Sequence, residues 1–363
     1  MVRVSFIIPC LNSANTLGAT LDSIFASDLS PDEREVIVVD NGSTDSTVDV
    51  AKRYPVHLAY CEQRSPSAAR NHGSRLAQGE FLAFIDSDVI LEPDWARELL
   101  KLIDEGFYSA ALGRVIPTGP DTFLNRFRMT FNDWRYLGTN ISIYSSYGIG
   151  PTINTAACLY RRSVFLGLGG FDEHLVRLED SAFSNHLSRH GGVICATSKA
   201  RAHVIYDFGI LSYIRRFFSI GRVIPHLMGQ ASVSRWGVLC EITKEPFRAD
   251  LSAFSLSQKF FFWIITFSSY LGSLSSILEK RIPSPKSLPK FAGKLLMQFM
   301  LSSPEKTYCL SSDARLIRVE DDMHFYSLKT REWKSFSYQN LPWQVLEEKG
   351  LLQQLGVREN KSC

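Results

Sequence analysis

Apolar positions in the first 115 residues fall into short runs separated by segments of helical spacing. In "RVSFIIP", Val4, Phe6 and Ile8 alternate before Pro9, and "EVIVVD", "VHLAYC" and "EFLAFID" follow the same style; all four predict strands. Between them, "ANTLGATLDSIFAS" places Leu17, Leu21, Ile24 and Phe25 on one helical face. "PSAARNHGSRLAQG" and "PDWARELLKLIDEG" predict helices closed by glycine, the second opening at Pro93. Strand-helix alternation of this kind predicts an α/β fold, a Rossmann-like parallel sheet with helices on both faces. Near-continuous apolar strands such as "VIVV" agree, because a central parallel strand is buried on both sides.

The pattern loosens over 116–205. Leu124, Phe127, Phe131 and Trp134 form one helical stripe. "INTAACLYRR" predicts a strand, "LEDSAFSNHLSRHGG" a helix ending at Gly191, and "GVICAT" and "ARAHVIY" two further strands. "GILSYIRRFFSIGRVIPHLMGQ" predicts a long basic and aromatic helix with a proline interruption. Residues 260–278 contain no charged side chain, close to the ~20 residues that span a bilayer, although serines dilute the run. The segment 280–294 then carries Lys280, Arg281, Lys286, Lys290 and Lys294 without an acid. Such a pair suits either an anionic membrane surface, through 260–294, or a buried helix followed by a solvated turn. Pro283, Pro285 and Pro289 mark a linker. Beyond it a hairpin pattern ("ARLIRVEDDMHFYSLKTREWKSFSY") and a helix ("PWQVLEEKGLLQQLG") predict a small α+β appendage. The expected organisation is 1–230, a catalytic domain; 231–294, a helical extension with a basic linker; and 295–363, the appendage.

Composition narrows the classes. A 363-residue chain with 45% hydrophobic and 21% charged residues is an ordinary globular protein. Its net charge of +3 is too small to imply a nucleic-acid partner. Seven scattered cysteines without a CxxC argue against a disulfide framework and for a reducing, cytoplasmic compartment.

Parallel sheets bind ligands at the carboxyl ends of their strands. Three predicted strands end there in polar residues: "PCLN" (9–12), "DNGSTD" (40–45) and "DSD" (86–88). Asp86 and Asp88 are either an exposed acidic turn or a pair of hard oxygen ligands for magnesium or manganese.

Four segments in register, "SFIIPCLNSANTLGATLDSI", "EVIVVDNGSTDST", "ARNHGSRLAQGEFLAFIDSDV" and "GGFDEHLVRLEDSAFSNHLSRHG", strongly resemble the inverting family 2 glycosyltransferases over about residues 3–205. The resemblance implies a GT-A type fold, a nucleotide-diphosphate sugar donor (a UDP-sugar first), a divalent cation (Mn2+ or Mg2+) and a carbohydrate or lipid-linked acceptor. It implies a nucleotide pocket walled by Pro9, Leu11 and Asn12, with Asp40 on the base and Arg70 close by. It matches Asp86 and Asp88 to the DxD motif, with Asp86 towards ribose and metal and Asp88 on the metal. Glu179 and Asp180 match the ED pair whose aspartate is the catalytic base, His203 a histidine touching metal or diphosphate, and "GGFDE" (169–173) a loop beside the sugars. Plain structural readings stand beside these: a turn for Asp40, a solvated helix arginine for Arg70, a helix cap for Asp180 and a structural histidine for His203. Two other functions are weighed. A nucleotidyltransferase would show a Gly-rich loop after the first strand, and "PCLNSANT" has none; a non-catalytic sugar-nucleotide sensor has no need of the ED pair.

Overall fold

The computed structural model of the chain describes residues 2–104, 108–133, 153–175, 177–190, 192–205, 209–229 and 251–278, and strand segments within 308–359. Trp134, the basic linker at 280–294 and the helix expected over 342–356 lie outside the described residues.

The expected α/β order is present: β1 (Val4–Cys10), α1 (Leu17–Phe25), β2 (Arg34–Asp40), α2 (Thr47–Ala51), β3 (His57–Tyr60), α3 (Pro66–Leu76), β4 (Phe81–Ile85), β5 (Val89–Leu91) and α4 (Trp95–Asp104). There follow β6 (Ala110–Thr118), α5 (Phe123–Asn132), β7 (Ala157–Arg161), α6 (Arg162–Gly167), α7 (Glu179–Arg189), β8 (Ile194–Ile205), α8 (Ile210–Gly229) and α9 (Leu256–Leu278). The tail contributes β9 (Tyr308–Leu310), β10 (Ala314–Val319), β11 (Asp322–Ser327), β12 (Glu332–Ser337) and β13 (Val357–Glu359).

One 11-stranded sheet runs β12-β11-β10-β8-β6-β7-β4-β1-β2-β3, with β5 pairing β8. The pairings orient β1, β2, β3, β4, β6, β8, β10 and β12 one way, with β5, β7 and β11 against them. Two details differ from the sequence reading. "GVICAT" and "ARAHVIY" are one continuous strand, β8, which pairs with β6 on both sides of a register shift at Leu112/Arg114. The expected tail hairpin is the β10–β11 pair extended by β12, and β10 joins the main sheet through Ile317–Val319 against Ile194–Ala196.

The period of two along each central strand sorts its side chains into two cores. Phe6, Ile8, Val36, Val38, Phe81 and Ala83 pack with Leu17, Leu21 and Ile24 of α1 and Trp95, Leu99 and Ile103 of α4. Ile7, Ile37, Val39, Leu82 and Phe84 pack on the other face with Ala69 of α3, Phe165 of α6 and Phe183 and Leu187 of α7. A third cluster, largely aromatic, joins Phe127 and Phe131 of α5 to Tyr213 of α8 and Phe261, Phe262 and Ile265 of α9.

The proline in α8 does not interrupt it: the helix is continuous from Ile210 to Gly229 with Pro225 inside. A helical proline removes the hydrogen bond to the carbonyl four residues earlier. Here that carbonyl, Gly221 O, accepts a hydrogen bond from Ser273 Oγ of α9 at 2.7 Å, so the lost bond is replaced from the neighbouring helix.

Candidate active site

Three strand ends build the rim. After β1 the chain turns at Asn12, whose φ of 53° lies in the left-handed region that asparagine tolerates better than most residues. Asn12 Oδ1 accepts from the Thr44 amide at 2.8 Å, and the Asn12 amide donates to Ser43 Oγ at 2.9 Å, tying the loop after β1 to the loop after β2. Ser13 Oγ and Ser87 Oγ lie 2.8 Å apart and tie the first loop to the acid pair after β4.

The first acid of the pair, Asp86, is held by a buried cation. Arg70, inside α3, donates to Asp86 Oδ1 at 2.6 Å and to Glu179 Oε1 at 2.9 Å. Burial alone would lower the arginine pKa; the Asp86 and Glu179 carboxylates outweigh it and keep the guanidinium charged. Arg70 thereby joins the end of β4 to the start of α7, residues far apart in sequence. The sequence placed Arg70 beside the nucleotide. The structure puts it between the two acidic motifs, lining both clefts described below.

Glu179 and Asp180 occupy the first turn of α7, where the helix dipole and free N–H groups favour negative charge. Leu178 precedes them with φ 61°, a left-handed conformation that turns the chain into the helix. Asp180 Oδ1 accepts from the Ser181 amide at 2.6 Å and from Ser181 Oγ at 3.2 Å. Burial, then the neighbouring Asp180 charge, pushes the Glu179 carboxyl above its usual range.

Asp88 carries no ion pair among the described residues. Burial first, and then the Asp86 charge, raises its pKa to about 6. Asp86 and Asp88 present hard carboxylate oxygens one residue apart, with Asp86 Oδ1 already committed to Arg70. Among the described residues no third His, Cys, Asp or Glu joins them. The donor set therefore fits a magnesium- or manganese-like ion that completes its shell with phosphate oxygens and water.

Two clefts meet at this cluster, and Pro66, Arg70, Asp86 and Asp88 line both. One, of about 530 Å³, is walled by Pro9, Leu11, Asn12, Ser13, Asn41 and Arg64. The other, of about 300 Å³, is walled by Glu179, Asp180, Arg177 and Thr155 and by residues of α5 and α8, among them Arg128, Phe131, Tyr213 and Arg216. Arg177 donates through Nε to Ser219 Oγ at 3.0 Å, and burial followed by the Arg216 charge lowers its pKa.

Of the residues singled out in the sequence, Pro9, Leu11, Asn12, Arg70, Asp86, Asp88, Glu179 and Asp180 line this pair of clefts; Asp40 and His203 do not. The Asp40 carboxylate is buried and accepts the Gly42 and Ser43 amides at 3.2 Å, so it shapes the "DNGS" turn and leaves Asn41 on the cleft wall. His203 Nε2 lies 3.0 Å from Glu92 Oε1, so Glu92 engages one ring nitrogen. The "GGFDE" loop is pinned from α3 by Asn71, which donates to Phe171 O at 2.8 Å and accepts from the Phe171 amide at 2.9 Å. Gly170 is required there: its φ is 74°, and a Cβ would stand 2.6 Å from Asn71 Oδ1. Sequence reasoning missed Asn71, Arg128, Arg177 and Arg216. The "ARN" pairing and the basic face of "SYIRRFF" were the signals available.

The family model "Glycosyl transferase family 2" matches residues 5–168. Residues 5–168 thus match a family 2 glycosyltransferase domain. Over 200 residues the chain is 29% identical to the O-antigen chain rhamnosyltransferase WbaN of Salmonella anatum, covering 52% of this chain and 61% of that protein. Over 228 residues it is 26% identical to glycosyltransferase AglE of Haloferax volcanii, covering 60% of this chain and 72% of that one. For the poly(ribitol-phosphate) beta-N-acetylglucosaminyltransferase TarS of Staphylococcus aureus the identity is 28% over 198 residues, which are 51% of this chain and 32% of TarS. Among solved structures, the mannosyltransferase PcManGT of Pyrobaculum calidifontis, in complex with GDP-Man and Mn2+, superposes with a TM-score of 0.55 at 18% identity. That match covers 77% of this chain and 88% of the other, and shows the shared fold. The fold is the GT-A type α/β architecture expected from the sequence.

Proposed function

We propose that this protein transfers a sugar from a nucleotide-diphosphate donor to an acceptor hydroxyl, with inversion, in the synthesis of a glycan. The observation that carries the reading is the junction of the two clefts at Arg70, Asp86 and Asp88, with Asp180 on the far side of that junction from the loop after β1. The larger cleft suits the nucleoside: Leu11 and Pro9 offer apolar surface, and Asn12, Asn41 and Arg64 offer polar contacts. Asp40 acts on it from behind by fixing the turn that presents Asn41. The smaller cleft takes the sugar and the acceptor.

Each acid then has a distinct task. Asp86 and Asp88 would hold a divalent cation, which when bound supplies positive charge to the departing diphosphate. The Mn2+ recorded with the mannosyltransferase supports this use of the fold. Asp180 takes the proton from the attacking hydroxyl as the new glycosidic bond forms. Its Oδ1 is held by Ser181, so Oδ2 is left to receive that proton. Glu179 acts through Arg70, which it helps hold against Asp86. Arg177 and Arg216, which line the same cleft, supply a place for an anionic part of either substrate.

A thermal-shift panel tests this directly. With Mn2+ present, one class of nucleotide sugar, UDP-sugars being the first to try, is expected to stabilise the protein by about 2.7 kcal/mol at a hundredfold excess over its dissociation constant. No stabilisation by any nucleotide sugar contradicts the reading. Binding without cleavage of any donor, with or without added acceptors, marks a sensor instead.

A further inference from the structure

The two long helices α8 and α9 pack large apolar side chains against α5 but meet each other through a different kind of surface. Their contacts advance together, Ile214 with Ser268, Phe218 with Gly272 and Gly221 with Ser273, so the helices run in the same direction. The seam between them is small and polar. Ser268, Ser269, Ser273 and Ser276 are buried, and Ser268 Oγ and Ser273 Oγ donate to the Ile214 and Gly221 carbonyls of α8 at 2.9 and 2.7 Å. The backbones approach so closely that a Cβ on Gly221 would stand 1.9 Å from Ser269 O, and one on Gly272 2.0 Å from Phe218 O. The outer face of α9 is the reverse: Leu256 is 86% exposed, Phe260 68%, Trp263 41%, Phe267 60% and Leu271 41%. Their spacing of three or four residues makes one continuous stripe. A small, polar, hydrogen-bonded seam between two helices, with large apolar side chains exposed on the outer face of one of them, suits packing beside lipid.

Charge points to the same solvent. Over 210–229 and 256–294 the chain has Arg215, Arg216, Arg222, Lys259, Lys280, Arg281, Lys286, Lys290 and Lys294 against a single acid, Glu279. Arg215 is exposed. We infer that the outer stripe of α9 docks on an anionic lipid bilayer, with α9 lying in the plane of the interface. Although α9 has the length to cross a membrane, its inner face is committed to α8, and Phe261, Phe262 and Ile265 belong to the aromatic cluster shared with α5. A helix fixed along one side to the catalytic body lies on a membrane; it does not span it. If the proposed transfer reaction is correct, a consequence follows. Because α8 lines the smaller cleft through Tyr213, Arg216 and Phe217, docking brings the acceptor side of the site close to the lipid surface, the place for a membrane-borne acceptor.

The test is flotation of the full-length chain with vesicles of phosphatidylglycerol and phosphatidylcholine, compared with phosphatidylcholine alone. The wild-type protein is expected to float with the anionic vesicles. The combined substitution Phe260→Ser, Trp263→Ser and Phe267→Ser is expected to lower partitioning at least tenfold, and Lys259→Glu with Arg215→Glu to weaken the preference for anionic lipid. Because the stripe is exposed, these variants should unfold at the wild-type temperature. As a second measurement that needs no polar substitution, brominated lipid should quench the wild-type tryptophan emission, with the quenching reduced in Trp263→Phe. Wild-type protein that stays in solution with both vesicle types overturns the inference. So does light scattering that shows a lipid-free dimer abolished by the triple substitution, since the stripe would then be an interface between copies. None of these readouts involves a nucleotide, so failure here is separate from failure of the glycosyl-transfer reading.

Discussion

At the residue scale the site turns on Arg70. It is the buried cation between Asp86 and Glu179, and it converts two acidic motifs distant in sequence into one cluster. Removing one partner of a buried ion pair leaves an uncompensated charge, which typically costs about 3–5 kcal/mol. Asp86 is 35% exposed, so solvent screening trims that figure. Arg70→Met should therefore lower stability by about 2–4 kcal/mol, measured by urea unfolding, and weaken nucleotide binding with it. A loss under 1 kcal/mol would mean that the two acids do not rely on this arginine. The acids themselves were legible in the sequence because short motifs carry them at strand and helix ends. The partner of Arg70 was not, because a helix arginine reads the same whether it faces water or two carboxylates. The partners of Asp40 and His203 were hidden for the same reason: sequence gives the residue type, and the Gly42 and Ser43 amides or Glu92 engage its polar atoms.

At the scale of elements, the strands and helices of the first hundred residues were readable because each central strand alternates between two cores, and each helix carries a single apolar face. β8 was split in the reading because Ser198 and Lys199 interrupt its apolar run; the register shift against β6 lets the strand pass through them. The serines of α9 looked like dilution of a hydrophobic helix. They are the seam with α8, and one of them replaces the bond that Pro225 removes. That packing makes a sharp prediction at Gly221. Gly221→Ala must push the helices apart or distort Ser269, and overpacking of this kind costs about 1–3 kcal/mol. Thermal unfolding should register it, whereas Gly167→Ala, with nothing within 4 Å of the added carbon, should leave packing unchanged. Equal effects at the two positions would contradict the close approach.

At the scale of the whole molecule, the sheet sets the chemistry in place. Parallel β1, β2 and β4 bring three polar strand ends to one rim, and antiparallel β7 leads through α6 to the loop and helix that carry Glu179 and Asp180. The tail reaches the same sheet through β10, an attachment the sequence did not reveal because strand pairing between distant segments leaves no local pattern. The account as a whole stands on Asp180 being the base. The deciding measurement follows nucleotide release from the stabilising sugar donor with Mn2+, using water or an acceptor, alongside donor binding by calorimetry, for wild type and Asp180→Asn. The account predicts at least a hundredfold slower release by the variant (about 2.7 kcal/mol of barrier) with binding within about twofold of wild type. Unchanged release, or loss of binding in step with release, would contradict it.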